Sequence, residues 1–140
     1  MNEFDFGDTP FQGLEAFENP DKSRIYDIEF TCPEWTAVCP RSGFPDFGVI
    51  HISYQPREKC VELKSLKLYI NSYRNVPIFH EGAVNKILTD LVAVTQPWKM
   101  SVWGDFNVRG NIKTIIRTFY EAPDYPTKKP EGKTPFKSCV

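Results

Sequence analysis

The pattern of this 140-residue sequence predicts an α+β fold in which two helices cover one face of an antiparallel sheet. Two observations lead to this prediction. Segments rich in β-branched and aromatic residues occur as a pair before the middle of the chain and as a second pair after it. Between the two pairs, apolar residues recur twice at the spacing of a helix. The expected order over residues 25–122 is therefore strand, strand, helix, helix, strand, strand.

The first pair of strands is predicted over residues 24–30 and 47–54. In the second strand, alternation places three apolar side chains on one face: Ile50, Ile52 and Tyr54. His51 lies on the opposite face, which is typical of a surface or interface residue rather than a catalytic base. Residues 31–45, which contain several prolines and a glycine, are expected to form a long loop between the strands.

The first helix is predicted over residues 61–75, where four residues form an apolar face: Leu63, Leu66, Ile70 and Tyr73. Three cationic residues follow nearly the same spacing one position later: Lys64, Lys67 and Arg74. Such a stripe is most often the solvated face of a helix. Its alternative role is a local phosphate-binding edge in a protein whose formal net charge is only −1.

The second helix is predicted to begin near residues 80–82 and to end at Gln96. Five residues form its apolar stripe: Val84, Ile87, Leu88, Leu91 and Val92. Glu81 lies in the first turn, where a carboxylate suits the positive end of the helix dipole. The alternative is that Glu81 accepts hydrogen bonds from an amidine-like edge of a base.

The last two strands are predicted over residues 101–108 and 112–120, joined by a tight connection that begins with Arg109. An arginine at a hairpin tip is most often a soluble turn residue, although a guanidinium there can also grip a phosphate. A sheet of four strands has two exposed edges. Assembly of several copies into a closed ring is one physical way to protect those edges.

Charge and hydropathy argue against several functions. The 17 Lys and Arg residues balance 18 Asp and Glu residues, so no global charge favours nucleic acid or an anionic membrane. The first residues lack the features of a signal peptide, and no apolar run approaches the ~20 residues needed to span a bilayer. We expect a soluble, cytoplasmic protein, with an N-terminal arm over residues 1–24 and a flexible tail over residues 123–140.

The sequence signals neither a metal site nor a standard nucleotide-binding loop. The four cysteines, at positions 32, 39, 60 and 139, form no C-x-x-C pair, and only two histidines are present, His51 and His80. No G-x-G occurs among the eight glycines, so the Rossmann and P-loop fingerprints are absent.

One segment carries a candidate catalytic pair, Cys39 and Asp46, at the two ends of a turn. Because Pro40 restricts the backbone beside the cysteine, the thiol lies at a rigid corner and can face the carboxyl across the mouth of the loop. A thiol beside a carboxyl that transfers protons is the minimum set for covalent catalysis. An unpaired cysteine is more often a small buried hydrophobe. Cys32 also precedes a proline, so these patterns leave the identity of the reactive cysteine open.

Several separated segments together resemble one enzyme family. They are V-C-P-R-S-G-F-P-D-F at residues 38–47, E-L-K-S-L-K-L-Y at 62–69, Y-R-N at 73–75, F-H-E at 79–81, W-G at 103–104 and R-G at 109–110. In this respect the chain resembles the NADPH-dependent 7-cyano-7-deazaguanine reductases, the QueF nitrile reductases, over about residues 25–122.

The resemblance implies a tunnelling fold, whose members build antiparallel barrels from several subunits and place active sites between them. It implies a short, single-module enzyme that uses NADPH to reduce the nitrile of 7-cyano-7-deazaguanine to a primary amine, on the pathway to the modified tRNA base queuosine. A homo-oligomer of two stacked pentamers is expected, with no direct binding of nucleic acid.

The resemblance also implies roles for individual residues. Cys39 would add to the nitrile carbon, and Asp46 would donate a proton to the nitrogen. Five residues would bind the substrate: Val61, Glu62, Leu63, His80 and Glu81. Three would bind the cofactor phosphates: Lys64, Lys67 and Arg109. Leu63 stands where some members have serine, so we expect only its backbone to contact the substrate.

Two other functions remain open at this point. A zinc-dependent pterin-type cyclohydrolase shares the implied fold but requires a set of Cys and His ligands. A non-catalytic ring that binds purines would keep Glu81 but would have no need for Cys39 and Asp46 at this spacing.

Overall fold

A computed structural model of the chain describes residues 13–126. Its strands are β1 (Ala16–Glu18), β2 (Ile28–Val38), β3 (Pro45–Gln55), β4 (Lys59–Val61), β5 (Lys99–Arg109) and β6 (Ile112–Glu121). Its helices are α1 (Leu63–Asn71), which continues into a short 3-10 helix (Ser72–Asn75), and α2 (His80–Thr95). Within this part of the chain, no helix is both long enough and apolar enough to cross a membrane.

The main sheet has the strand order β2-β3-β5-β6, and every neighbouring pair is antiparallel. The two hairpins are therefore β2–β3 and β5–β6, and both helices lie in the connection between them. The helix α2 packs on β5 and β6, while α1 and the 3-10 helix pack on β2. This arrangement confirms the predicted α+β fold with two helices on one face of an antiparallel sheet.

The strand β2 is longer than the sequence predicts, and the expected long loop over residues 31–45 is wrong. The strand continues to Val38, so the loop shrinks to residues 39–44. Pro33 is tolerated because the register shifts between Cys32 and Trp35, and because β2 is an edge strand with one unpaired side. The longer hairpin gives the Cys39 loop a rigid base.

The helices follow the predicted periodicity with one exception. In α2 the predicted stripe faces the sheet, with Val84, Ile87 and Leu91 fully buried. In α1 the residues Leu66 and Ile70 are buried, but Leu63 is 58% exposed. Leu63 is the first residue of the helix and lines a cavity beside it, so its assignment to the buried face was wrong.

Gly48 lies between two large aromatic residues of the core. It pairs with Trp35 of β2 on one side and with Phe106 of β5 on the other. Because Gly48 has no side chain, the two rings meet edge to face, with their centroids 5.5 Å apart. Both aromatic side chains are fully buried, so this contact forms the centre of the sheet beneath the candidate site.

We expect the substitution Gly48→Ala to destabilise the protein by about 1–3 kcal/mol, the range typical of overpacking in a core. A methyl group there would lie 2.7 Å from Cδ1 of Phe106 and 3.1 Å from the carbonyl oxygen of Asp105. The free energy of unfolding in urea measures the effect. The matched control is Asn107→Ala, at an exposed position of β5, which should change stability by less than about 0.5 kcal/mol. Equal stability of the two variants would contradict the packing described.

A second, two-stranded sheet joins β1 to β4, and the sequence pattern did not predict it. It links part of the predicted N-terminal arm to the segment just before α1. At the other end, Ala122 donates its N–H to the carbonyl of Trp98, and the ring of Tyr125 packs against Trp98. Phe4, Phe6 and Phe11 of the arm, and Cys139 of the tail, lie outside the described residues.

Candidate active site

The β2–β3 hairpin ends in a closed turn that positions Cys39. The N–H of Cys39 donates to the carbonyl of Phe44 at 2.8 Å, and the N–H of Gly43 donates to the carbonyl of Cys39 at 2.9 Å. Gly43 adopts a φ of +78°, which glycine reaches without strain. Ala37 pairs with Asp46 across the hairpin, and Cys39 lies two residues beyond Ala37. Cys39 lies in the turn just beyond β2, and its thiol and the carboxyl of Asp46 line the same cavity.

A short backbone connection brings the start of α2 to this turn. Val38 forms a parallel bridge with Pro77, in which its N–H donates to Val76 at 2.9 Å and its carbonyl accepts from Ile78 at 3.1 Å. The next residues are Phe79 and His80, so the end of β2 places the first turn of α2 beside Cys39. Residues far apart in sequence therefore meet at one end of the sheet.

These elements enclose a cavity of about 220 Å³. Its lining consists of Cys39, Asp46, Phe79, His80, Glu81 and Arg109. Sequence reasoning did not predict Phe79, which is 54% exposed although it is a large aromatic residue. The sequence feature that could have identified Phe79 is its position directly before His80 and Glu81, where an exposed ring can cover a planar ligand.

Asp46 is almost completely buried, with 6% of its surface exposed, and both carboxylate oxygens have a polar neighbour. One oxygen accepts from the guanidinium of Arg109, and Nε2 of His80 lies 3.5 Å from the other. The His80 ring stacks flat on Phe106, with the centroids 3.9 Å apart. The carboxylate is thus fixed between a cation and an imidazole.

Arg109 reaches Asp46 because the register of β5 and β6 shifts between Phe106 and Arg109. The tight connection beyond it contains Gly110 and Asn111, both with positive φ, as in a type I′ hairpin turn. In the structure, the guanidinium binds the candidate acid rather than lying beside Lys64 and Lys67 in α1. Sequence pattern could not have shown this contact, because residues 46 and 109 meet only in the folded sheet.

The two candidate cysteines lie in different electrostatic environments. Donation from Ser42, through its hydroxyl and its backbone N–H, lowers the pKa of the Cys39 thiol, although Asp46 and partial burial oppose the effect. Burial alone raises the pKa of the Cys32 thiol to about 11. Because the thiolate is the nucleophilic form, the structure favours Cys39 as the more reactive of the two.

The remaining predicted site residues lie at the start of α1 and do not line the Cys39 cavity. The carboxylate of Glu62 caps this helix and accepts from the N–H groups of Ser65 at 2.7 Å and Lys64 at 3.1 Å. The backbone N–H of Glu62 donates to Glu15, and that of Val61 donates to the hydroxyl of Tyr54. The backbone of residues 61–63 is therefore held rigidly by β1, β3 and the helix cap.

A larger cavity of about 510 Å³ runs between α1 and the exposed edge strand β2. Leu63 and Lys67 line it on the helix side, and Cys32 lines it on the strand side. Lys64 and Lys67 are both exposed, so their ammonium groups are available to a phosphate. Within residues 13–126, no three His, Cys, Asp or Glu side chains are grouped in a way that could hold a metal ion.

The predicted site residues thus form two groups in one chain. Cys39, Asp46, His80, Glu81 and Arg109 surround the smaller cavity. The second group lies around the start of α1: Val61, Glu62, Leu63, Lys64 and Lys67. The first group brings together a thiol, a buried carboxyl and an exposed carboxylate, and the second brings together a rigid backbone segment and two cations.

Comparison with solved structures identifies the class of protein. The crystal structure of the archaeosine synthase QueF-Like in the apo form aligns with a TM-score of 0.60. The alignment covers 68% of this chain and 91% of that chain, at 20% sequence identity. The chain is therefore a tunnelling-fold protein, here with a thiol and a carboxylate in one cavity.

Comparison with known sequences identifies the family. The sequence model described as "QueF-like protein" matches residues 45–125. The NADPH-dependent 7-cyano-7-deazaguanine reductase of Microcystis aeruginosa is 53% identical over 77% of this chain and 82% of its own length. The protein of the same name from Thermosynechococcus vestitus is 51% identical over 83% of this chain and 89% of its own length. The one from Thioalkalivibrio sulfidiphilus is 46% identical over 86% of this chain and 94% of its own length. This chain belongs to the family of NADPH-dependent 7-cyano-7-deazaguanine reductases.

Proposed function

We propose that this protein reduces the nitrile of 7-cyano-7-deazaguanine to the aminomethyl group, with NADPH as the reductant, on the pathway to queuosine in the cytoplasm. The observation that carries the proposal is the cavity in which Cys39 and Asp46 lie beside His80 and Glu81. Family membership supports the same activity. The relatives named NADPH-dependent 7-cyano-7-deazaguanine reductase are identical to this chain at about half of the aligned residues.

Covalent addition to the nitrile explains why the site needs a thiol. The thiolate of Cys39 attacks the nitrile carbon to form a C–S bond, and Asp46 donates a proton to the nitrogen, which gives a thioimide. NADPH, whose phosphates Lys64, Lys67 and Arg109 would hold, would supply one hydride to the thioimide and, from a second molecule, one to the imine that forms when the C–S bond breaks. A second proton, from solvent, would complete the amine. Loss of the thiolate between the two reductions regenerates Cys39 for the next cycle.

Asp46 must carry a proton when it acts, whereas in the structure its carboxylate is paired with Arg109. We propose that Arg109 turns to the cofactor phosphates together with Lys64 and Lys67 when the site fills. One feature supports this role: the Arg109 side chain is 44% exposed at a hairpin tip, where its guanidinium can also reach a ligand from solvent. Its departure would leave Asp46 free to hold the proton.

The substrate would be recognised at its guanine-like edge by His80 and Glu81. The Glu81 carboxylate is exposed at the start of α2, where it can accept from two N–H groups of the base. The backbone of Val61, Glu62 and Leu63 would complete the pocket. The carboxylate of Glu62 caps α1, its N–H donates to Glu15, and its carbonyl accepts from Ser65 and Leu66. These bonds hold the segment in the shape that the substrate would meet.

The separation of the two groups of site residues leads us to propose that the active site forms between neighbouring subunits. One subunit would contribute the Cys39 cavity, and the next would contribute the start of α1 with its two lysines. Assembly through the exposed edges of β2 and β6 would close the sheet into a barrel and protect both edges. We expect two stacked pentamers, and light scattering of the purified protein measures their mass.

We expect Glu81→Gln to raise the KM for the nitrile substrate about tenfold to a hundredfold while kcat changes little. The amide keeps the size of the side chain but replaces one charged acceptor oxygen by a donor, which weakens recognition of N–H groups. Steady-state kinetics with saturating NADPH measures both constants. Glu121→Gln, an exposed position at the end of β6, is the matched control and should behave as the parent. An unchanged KM in Glu81→Gln would remove this residue from the substrate site.

The activity itself is tested with purified protein, 7-cyano-7-deazaguanine and NADPH. Oxidation of NADPH is followed by the absorbance of the reduced nicotinamide, and mass spectrometry quantifies the amine. The proposal predicts two NADPH consumed for each amine formed, because nitrile reduction to an amine takes two hydrides. Substrate binding without NADPH oxidation would instead favour the non-catalytic purine-binding ring.

A further inference from the structure

We propose that Ser42 is a positioning residue for the nucleophile, because its hydroxyl orders the turn that directs its own backbone N–H at the sulfur of Cys39. The inference rests on the proposed function, in which Cys39 adds to the nitrile. It identifies the part of the hairpin turn that prepares the thiol before any substrate is present.

The geometry of the turn aims Ser42 at the sulfur. The backbone N–H of Ser42 donates to Sγ of Cys39 at 3.4 Å, within the range of N–H to sulfur contacts. The turn is closed on both sides of this contact by the hydrogen bonds between Cys39 and the backbone of Gly43 and Phe44. The donor is therefore held in place by backbone geometry rather than by a mobile side chain.

The hydroxyl of Ser42 is oriented by a second hydrogen bond. Its oxygen accepts the N–H of Phe44 at 3.1 Å, so the hydroxyl proton remains free to be donated. The interaction of this side chain with Cys39 is the largest contribution that lowers the pKa of the thiol, followed by the N–H of Ser42 and then by that of Arg41. All three donors come from the turn itself.

The charged groups around Cys39 do not provide the same stabilisation. Asp46 at the start of β3 opposes the thiolate. The nearby cation Arg109, at the end of β5, is paired with Asp46, and Nε2 of His80 also lies nearest to that carboxylate. Glu81 adds a further negative group to the same cavity, and the side chain of Arg41 is exposed. With these groups directed elsewhere or repulsive, the donors that face the sulfur come from the turn that Ser42 orders.

The pH profile of alkylation at Cys39 tests the proposal without substrate or NADPH. The full-length protein is treated with iodoacetamide over a range of pH, and fragment spectra assign the label to Cys39 rather than Cys32. For Ser42→Ala we expect the midpoint to move to higher pH and the rate at neutral pH to fall about threefold to tenfold. The expected fall is limited because a thiolate of higher pKa is also a stronger nucleophile. Ser42→Thr, which keeps the hydroxyl, should restore the parent profile.

Coincident profiles for Ser42→Ala and the parent would overturn the proposal. A shift in Ser42→Thr as large as that in Ser42→Ala would also overturn it, because the hydroxyl would then not be the cause. The assay separates this inference from the proposed function. If the parent reduces no nitrile while Ser42→Ala still shifts the profile, the assignment of the reaction fails and the effect of Ser42 on the thiol stands.

Discussion

Replacing Cys39 by alanine is expected to lower nitrile reduction by at least about a thousandfold, because Cys39 is the only thiol among the described residues that line the cavity. The substitution removes a partly exposed side chain at the end of a hairpin whose turn is closed by backbone hydrogen bonds, so the fold should be retained. The rate of NADPH oxidation and the yield of amine measure the effect.

The matched control is Cys32→Ala. Cys32 lies in β2, where burial disfavours its thiolate, and we expect this variant to keep most of the parent activity. If Cys32→Ala loses activity and Cys39→Ala retains it, the assignment of the nucleophile must be reversed. Circular dichroism of both variants shows whether a loss reflects chemistry or misfolding.

Replacing Asp46 by asparagine is expected to lower kcat by about 10²-fold to 10⁴-fold, the range typical of a general acid. Asparagine has nearly the same shape and can still accept from Arg109, but it cannot transfer a proton to the nitrile nitrogen. The KM for the substrate should change much less than kcat, since the base-recognising group is Glu81. Single-turnover kinetics measures the rate of nitrile addition directly.

A separate variant distinguishes proton transfer from a purely structural role of Asp46. Arg109→Ala also removes the ion pair with Asp46 but leaves the carboxyl in place. We expect Arg109→Ala to raise the KM for NADPH while retaining nitrile addition at a rate closer to the parent. Equal loss of nitrile addition in Asp46→Asn and Arg109→Ala would mean that the ion pair, rather than the proton of Asp46, is what the reaction needs.

The fold could be predicted where the side-chain pattern is periodic and sustained. The stripe of α2 and the alternation of Ile50, Ile52 and Tyr54 in β3 both belong to long elements. The structure buries the three residues of β3 and most of the α2 stripe. The strands β1 and β4 are three residues long, which is too short for a period to be recognised. They form because the backbones of residues 16–18 and 59–61 meet in the folded chain.

Two local errors have the same physical origin. Pro33 and Pro40 favour the prediction of one long loop, yet the edge strand β2 accommodates Pro33 where its register with β3 shifts. The spacing of Leu63 predicted a buried position, yet Leu63 is the first residue of α1 and is 58% exposed. In both cases tertiary context decides what the local pattern leaves undetermined.

The residues of the candidate site were recognisable from motifs, but their contacts were not. That Cys39 and Asp46 line one cavity was expected from the hairpin between them. The ion pair of Arg109 with Asp46 and the stack of His80 on Phe106 depend on strand register, which single-sequence patterns do not specify. The same applies to the distribution of the site residues over two separate surfaces of the subunit.

The intact mass of the protein after incubation with 7-cyano-7-deazaguanine, in the absence of NADPH, tests the covalent mechanism most directly. We predict that the mass of the parent protein increases by that of one molecule of 7-cyano-7-deazaguanine and returns to its original value when NADPH is added. The mass of Cys39→Ala should not increase. A parent protein that reduces the nitrile but never carries the adduct, or an adduct that persists on Cys39→Ala, would contradict the assignment of Cys39 as the nucleophile.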